Sequence, residues 1–198
     1  MIFNYISLDK NGNKIMEIDY NNDILYFDIE TFECNNKFVV YAAGYDLNGK
    51  YNYFYGKNAL QDFIAILLNN QDKKLCAYNG GRFDYIILIK GLIENNVNIS
   101  DFIKSNGRLL QYIFNGNSIF DLYNFTMTSL KNTCDDYKIS KDKCKSEFDH
   151  NKKKSWADVE LYRSEILPYL ELDLISMKEL FITINKEIYE LIRTNITN

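Results

Sequence analysis

The chain has 198 residues and a net charge of −4, and 46% of its residues are apolar while 25% are charged. This length and balance suit one soluble globular domain and exclude a disordered chain, and the negative charge argues against a large non-specific DNA-binding face. No apolar run is long enough for a membrane span, and the first residues lack the features of a secretory signal.

Apolar patterns and turn residues predict mainly strands in the first part of the chain. A hairpin is expected over residues 1–9 and 14–19, around an Asn-Gly-Asn turn. Short apolar or alternating segments predict further strands at residues 24–30, 37–47, 50–56 and 74–78. Apolar residues at helical spacing predict helices at residues 58–69 and 82–94.

The second part of the chain is predicted to be mainly helical. Its expected elements are a hairpin near residues 108–114 and 118–123, a helix capped by Thr128 or Ser129 that ends at Tyr137, a short helix opened by Ser155, and a long helix from about Glu165 to Arg193. Asn115-Gly116-Asn117 supplies the hairpin turn. Pro168 is expected in the first turn of the long helix, where proline is tolerated.

This order of elements predicts an α/β fold in which helices flank a mixed β-sheet, with an N-terminal β-hairpin. A five-stranded sheet of ribonuclease H-like topology fits the order. The sequence contains no low-complexity linker, no internal repeat and a single proline. We therefore expect residues 1–198 to form one domain.

Two carboxylates stand close together on the predicted strand 24–30. Asp28 and Glu30 are two residues apart, so both side chains project from the same face of an otherwise apolar strand. Two like charges on a buried strand are costly unless a cation or hydrogen bonds compensate them. The alternative is a strand end that emerges into solvent, where acidic residues are harmless.

A third carboxylate follows a glycine turn. A helix is predicted to begin at Arg82, immediately after Asn79-Gly80-Gly81, and Asp84 lies in its first turn. The helix dipole favours an acid at this place for structural reasons alone. The two glycines would also allow the backbone to approach a ligand, and Asn79 offers a side-chain amide.

A fourth carboxylate lies near the start of the predicted long helix. Tyr169 and Asp173 are separated by four residues, so a phenol and a carboxylate share one face of that helix. Tyrosine on a helix is usually a core or boundary residue, so this pair alone indicates little.

The residues available for metal binding restrict the kind of metal. The chain has one histidine, His150, and its four cysteines form no CxxC pair or metal-finger spacing. Any metal must therefore be held by oxygen, which suits Mg²⁺ or Mn²⁺. Cysteines with this spacing are expected to be reduced thiols, which predicts an intracellular location.

Taken together, the acidic segments resemble the three motifs of the DEDD 3′→5′ exonucleases. YFDIET (26–31), YNGGRFD (78–84) and YLELD (169–173) are similar to the proofreading domain of family B DNA polymerases, especially the protein-primed enzymes. The last motif belongs to the Tyr subclass, because the position that would carry histidine in the His subclass is Pro168. The resemblance covers about residues 23–185, which is the expected core of the exonuclease domain.

The resemblance implies a site with two Mg²⁺ or Mn²⁺ ions. Asp28 would bridge the ions, Glu30 and Asp173 would complete the site of the ion that activates water, and Asp84 would hold the second ion. Tyr169 would orient the attacking water, because an ordinary tyrosine pKa makes it a poor base at neutral pH. The implied contacts to the last nucleotides of the DNA are Thr31, Asn79 and Phe83.

A lysine-rich stretch between the second and third motifs supplies the last implied catalytic residue. Lys145, three residues before Phe148, fits best the lysine that neutralises charge on the scissile phosphate, and Lys143 is the next candidate and a further DNA contact. A lysine run of this kind is more often a solvated loop. The chain also departs from the family next to Asp121, where a serine or threonine that contacts DNA is replaced by Leu122.

The function implied by the resemblance is 3′→5′ hydrolysis of single-stranded DNA to mononucleotides. No polymerase signature is recognised, so the chain would be either a free-standing nuclease or the proofreading domain of a polymerase. Its expected partners are the 3′ end of single-stranded DNA, a polymerase domain or a replication protein, and no membrane. The alternatives are an exoribonuclease of the same fold and a non-catalytic module that binds nucleic acid or protein.

Overall fold

The computed structural model describes residues 5–8, 14–18, 23–140, 149, 152 and 155–196. In that part of the chain the strands are β1 (Tyr5–Leu8), β2 (Lys14–Ile18), β3 (Ile24–Cys34), β4 (Lys37–Leu47), β5 (Lys50–Tyr55), β6 (Lys74–Ala77), β7 (Ile99–Ser105), β8 (Arg108–Phe114) and β9 (Asn117–Asp121). The helices are α1 (Ala59–Asn69), α2 (Asp84–Glu94), α3 (Tyr123–Thr126), α4 (Leu130–Asp136), α5 (Trp156–Leu161) and α6 (Arg163–Ile196), with a 3₁₀ turn at Gly80–Arg82.

The main sheet has seven strands in the order β5-β4-β3-β6-β9-β8-β7. Strand β3 lies antiparallel to β4 and parallel to β6, and β6 lies parallel to β9. The sheet is therefore mixed, and β1 and β2 form the separate antiparallel hairpin that the sequence predicts. The fold is α/β and ribonuclease H-like, as expected. Its predicted five-stranded sheet corresponds to β5-β4-β3-β6-β9, and β8 and β7 extend it.

Strand β3 is buried on both faces, which explains its nearly continuous apolar sequence. Leu25 and Phe27 belong to a core cluster formed with helices α1 and α2. Ile24 and Tyr26 point to the opposite face and pack in a second cluster with residues of α6, among them Leu174. Two helical layers thus enclose the sheet, and α6 covers the face that also carries Asp28 and Glu30.

Several local predictions are confirmed by the geometry of turns and helix caps. Asn115 and Gly116 both have positive φ, 48° and 75°, and form the two-residue turn between β8 and β9. The side chain of Ser129 accepts a hydrogen bond from the backbone N–H of Asn132 and caps α4. Ser155 caps α5 in the same way, through the backbone N–H of Asp158.

The structure differs from the sequence prediction mainly at four elements. Strand β3 continues to Cys34, four residues beyond the predicted strand 24–30. Strand β7 was not predicted, because its sequence has no apolar alternation. Its side chains are mostly exposed, and its register shifts twice against β8. The short helix α3 was not predicted either. Helix α6 begins at Arg163, so Pro168 lies inside the helix and not in its first turn.

Among the described residues, no helix is long and apolar enough to cross a membrane.

Candidate metal and nucleic-acid site

Three of the four predicted carboxylates come together where β3 extends beyond its parallel neighbour. The pairing of β3 with β6 ends at Tyr26, so Asp28 and Glu30 lie past the end of β6. Asp173 reaches the same place from α6. Oxygen atoms of the three side chains all lie within 4.8 Å of one another. A set of close carboxylate oxygens without nitrogen or sulfur suits a hard divalent cation.

Asp84 is the first residue of α2 and lines the same cavity as the other three acids. Its pKa is raised well above the ordinary value, mainly by burial and then by the negative charges of Asp28 and Glu30. A buried carboxylate surrounded by like charges is destabilised in its ionised form. A bound cation would reverse this effect, so the electrostatics of the cavity favour metal binding.

Tyr169 lies one helical turn before Asp173 and is almost fully buried. Burial raises its pKa above the ordinary value, and the neighbouring charge of Asp173 and a hydrogen bond to that carboxylate raise it further. The phenol therefore stays protonated at neutral pH. It can orient a neighbouring group by hydrogen bonding, and it is a poor base at neutral pH.

Tyr41 is a site residue that the sequence does not reveal. The pairing of β3 with β4 shifts between Glu30 and Thr31, from Ala42 to Val40, so that Tyr41 has no partner of its own across the ladder. A bulge of this kind re-aims a side chain. The hydroxyl of Tyr41 donates a 2.9 Å hydrogen bond to Oε2 of Glu30. Burial, followed by the charge of Glu30, raises the pKa of Tyr41.

The loop before Asp84 is held in place by Asp121 at the end of β9. Asp121 is almost fully buried, and its carboxylate accepts hydrogen bonds from the backbone N–H groups of Asn79 and Gly81, at 2.7 and 3.0 Å. A Cβ atom at Gly81 would overlap the carbonyl oxygen of Leu109. The glycine therefore allows close packing against β8, whereas the sequence suggested an approach to a ligand.

Arg108 completes this support. Its guanidinium donates a hydrogen bond to Asp121 and a second one to the side-chain oxygen of Asn79, both at 2.8 Å. Asn79 has a left-handed backbone conformation with φ 63°. Because its oxygen is occupied by Arg108, the orientation of the Asn79 amide group is fixed. Asp121 and Arg108 thus position a loop that borders the carboxylates.

The predicted nucleic-acid contacts within the described residues border the same cavity. Thr31, Asn79 and Phe83 line it together with the four acids. Leu122, by contrast, is fully buried in the core cluster next to α6, so it offers no surface at the place where the family carries a DNA contact. Lys143, Lys145, Phe148 and His150 lie outside the described residues.

A second cavity continues from the carboxylates along the sheet toward α4. Its walls include Asp28 and Asp173 at one end. The other end is formed by side chains of α3, α4, the loop between these helices and the segment that follows β6, among them Tyr78, Tyr123, Ser129 and Lys131. The hydroxyl of Tyr78 bonds Thr133 and the backbone of Thr128, at 2.6 and 2.7 Å. The carboxylate site therefore opens into a groove with a fixed polar and aromatic wall.

Comparison with known proteins identifies one sequence family. Residues 64–163 match the family model described as DNA polymerase type B, organellar and viral. The search of curated proteins found no match.

Solved structures provide a second comparison. Among the matches are Phi29 DNA polymerase with primer-template DNA and incoming nucleotide (TM-score 0.67, 18% identity, 84% of this chain and 31% of that chain) and Phi29 DNA polymerase with single-stranded DNA (TM-score 0.67, 18% identity, 84% and 32%). Another is the family B DNA polymerase of the hyperthermophilic archaeon Pyrobaculum calidifontis (TM-score 0.59, 16% identity, 83% and 24%). The chain thus spans about a third of the length of the Phi29 enzyme.

Proposed function

Because the chain belongs to the type B DNA polymerase family of organelles and viruses, we propose that it is a 3′→5′ exonuclease that hydrolyses single-stranded DNA to mononucleotides. It acts either as a free-standing nuclease or as the proofreading domain of a polymerase. The whole chain, residues 1–198, would form this single domain around the core 23–185. The similarity to solved polymerases supports the fold of the exonuclease region, and the activity is inferred from the site.

The observation that carries the proposal is the group of Asp28, Glu30 and Asp173, whose oxygens lie within 4.8 Å of one another. These three residues and Asp84 would hold two Mg²⁺ or Mn²⁺ ions. When bound, the ions would supply an activated water and charge relief on the leaving 3′ oxygen. The raised pKa of Asp84 supports this assignment, because burial beside like charges is a cost that a cation offsets.

The other side chains of the cavity would position the DNA and the water. Tyr169 keeps its proton and would orient the attacking water through its hydroxyl. The amide of Asn79, fixed by Arg108, would donate a hydrogen bond to the end of the strand. Phe83 would stack on a base, and Thr31 would contact the terminal sugar. Lys145, or Lys143 in its place, would neutralise charge on the scissile phosphate.

The groove that continues past Asp28 and Asp173 would hold the nucleotides before the scissile bond. Its aromatic wall suits unpaired bases, since every base can stack on an aromatic ring. Such contacts carry no sequence code, so degradation is expected to be independent of sequence. This arrangement favours a single strand with a free end over a duplex.

The polarity of degradation tests the proposal. Single-stranded DNA labelled at its 5′ end should shorten progressively from the other end, with release of mononucleotides. A strand blocked at its 3′ end should survive, while a strand blocked at its 5′ end should be degraded. Cleavage of circular single strands would overturn the proposal. An RNA strand of the same sequence, degraded faster than DNA, would indicate an exoribonuclease, and the absence of degradation would indicate a binding module.

A further inference from the structure

An exposed phenylalanine lies beside the site and belongs to none of the three motifs. Phe38 is the second residue of β4, next to the turn that joins β3 and β4, and 60% of its surface is exposed. Leaving a large aromatic ring in water sacrifices the free energy that its burial would provide. An exposed ring at the border of a cavity is therefore a candidate contact for a ligand.

The register of the hairpin places Phe38 on the same face as Thr31, which is one of the predicted nucleic-acid contacts. Phe38 pairs with Glu33, so the two side chains lie on the same face of the sheet. Thr31 is two residues from Glu33 on β3, and it shares that face. Thr31 lines the cavity of the carboxylates, so Phe38 lies on the face of the hairpin that carries this part of the cavity wall, opposite the face of Asp28 and Glu30.

The ring of Phe38 contacts the ring of Phe83. The two centroids are 4.7 Å apart and the planes are nearly perpendicular, at 88°. Phe83 immediately precedes Asp84 and lines the cavity. One ring therefore presents its edge to the face of the other, which is a favourable aromatic geometry. The pair forms an L-shaped aromatic surface that extends from the carboxylates to the end of the β3–β4 hairpin.

We propose that Phe38 binds substrate directly, by stacking on a base in the last two nucleotides of the strand, together with Phe83. This inference rests on the proposed function, since it takes the 3′ end of DNA to be the ligand of the cavity. Two perpendicular rings restrict a base more than one ring does, because the second blocks sliding in the plane of the first. The contact is independent of base identity, because every base has a π-face.

Substitution of Phe38 by alanine tests the contact. Loss of one base–aromatic stack should raise the KM for single-stranded DNA by about 5-fold to about 140-fold. The kcat should change little, because the ring lies away from the group of Asp28, Glu30 and Asp173. Phe38→Trp should keep the KM of the wild type, because tryptophan also offers a π-face. Phe38→Leu, which is apolar but has no π-face, should have a raised KM like that of Phe38→Ala.

Phe102→Ala is the matched control. Phe102 is also exposed, at 54%, and its ring also stacks on a single aromatic neighbour, Tyr112. It lies on β7, at the far edge of the seven-stranded sheet from the β3–β4 hairpin. Its replacement should leave the KM unchanged. Equal effects of the two alanine variants would overturn the inference.

A substrate that lacks a base separates direct stacking from indirect support of Phe83. Two substrates are compared, one with an abasic nucleotide at the last position and one with it at the next-to-last position. The substrate that lacks the stacked base should be bound equally by the wild type and by Phe38→Ala. A difference that persists with both abasic substrates would mean that Phe38 acts without touching a base, and the inference would fail.

The proposed function and this inference can fail separately. Affinity for single-stranded DNA is measured by fluorescence anisotropy in the presence of Ca²⁺, which also prefers oxygen ligands. A wild type that binds DNA in Ca²⁺ but does not degrade it in Mg²⁺ or Mn²⁺ would contradict the proposed nuclease activity. The comparison of the affinities of Phe38→Ala and Phe102→Ala would remain valid. A wild type that degrades DNA, with unchanged affinity in Phe38→Ala, would contradict the role of Phe38 alone.

Discussion

Replacing Tyr41 by phenylalanine removes one oxygen atom next to the carboxylates and leaves the ring in place. The hydroxyl of Tyr41 donates a 2.9 Å hydrogen bond to Glu30. The ring packs against Phe32 and Tyr55, with centroids 6.3 and 5.9 Å away, and these contacts remain in the variant. The substitution therefore isolates the effect of one hydrogen bond on Glu30.

The magnitude follows from the charge of the acceptor. A hydrogen bond to a charged group contributes about 1.5–3 kcal/mol. Half of the upper value, about 1.5 kcal/mol, corresponds to about tenfold in an equilibrium constant. When this free energy serves to orient Glu30 toward a cation, the divalent-metal concentration for half-maximal activity should rise by about tenfold in the variant. The free energy of unfolding without metal should fall by about 1–3 kcal/mol, because the buried carboxylate of Glu30 loses a hydrogen-bond donor.

The assay is the rate of mononucleotide release from single-stranded DNA across a titration of Mg²⁺, and Tyr55→Phe is its control. The hydroxyl of Tyr55 donates a 2.6 Å hydrogen bond to the backbone carbonyl of Val159, so the same atom is removed without loss of a bond to a carboxylate. Tyr55→Phe should lose similar stability and keep the metal dependence of the wild type. Identical metal titrations for Tyr41→Phe and Tyr55→Phe would refute the positioning of Glu30 by Tyr41.

The remaining predictions concern stability and are measured by denaturant unfolding without metal. Asp84→Asn should stabilise the protein at neutral pH. The raised native pKa of Asp84 makes the wild type lose stability as pH rises above the ordinary carboxyl range, so the advantage of the variant should grow in that direction. An advantage that is independent of pH would contradict this reasoning. Gly81→Ala should cost about 1–3 kcal/mol, because its Cβ would overlap the carbonyl oxygen of Leu109, and an unchanged midpoint would contradict that packing. Asp121→Ala should cost about 3–5 kcal/mol, because it leaves the buried guanidinium of Arg108 without its carboxylate, whereas a loss below 1 kcal/mol would show that the pair does not hold the loop.

Local periodicity accounts for the parts of the site that the sequence predicts. Asp28 and Glu30 share a face because side chains alternate along a strand. Tyr169 and Asp173 share a face because four residues complete about one helical turn. The turn at Asn115 and the cap at Ser129 are likewise decided by residues close in sequence. For such features the sequence contains the physical cause, and no knowledge of distant contacts is needed.

The residues that the sequence does not reveal depend on pairing between distant segments. Tyr41 reaches Glu30 only because the ladder between β3 and β4 has a bulge. Arg108 becomes a support of Asn79 only when β8 lies beside the glycine turn. Neither residue stands in a recognisable pattern, and both look like ordinary members of a strand. The same holds for β7, whose irregular pairing leaves no alternation in its sequence.

The acids on β3, α2 and α6 are proposed to bind divalent metal for hydrolysis of DNA. The most direct measurement is the rate of mononucleotide release from 3′-labelled single-stranded DNA, with Mg²⁺ or Mn²⁺ added to protein treated with EDTA. We expect no release in EDTA, full recovery with either metal, and loss of nearly all recovered activity in Asp28→Ala and Asp173→Ala that still unfold cooperatively. Full activity in excess EDTA, or unchanged activity in these folded variants, would contradict the account.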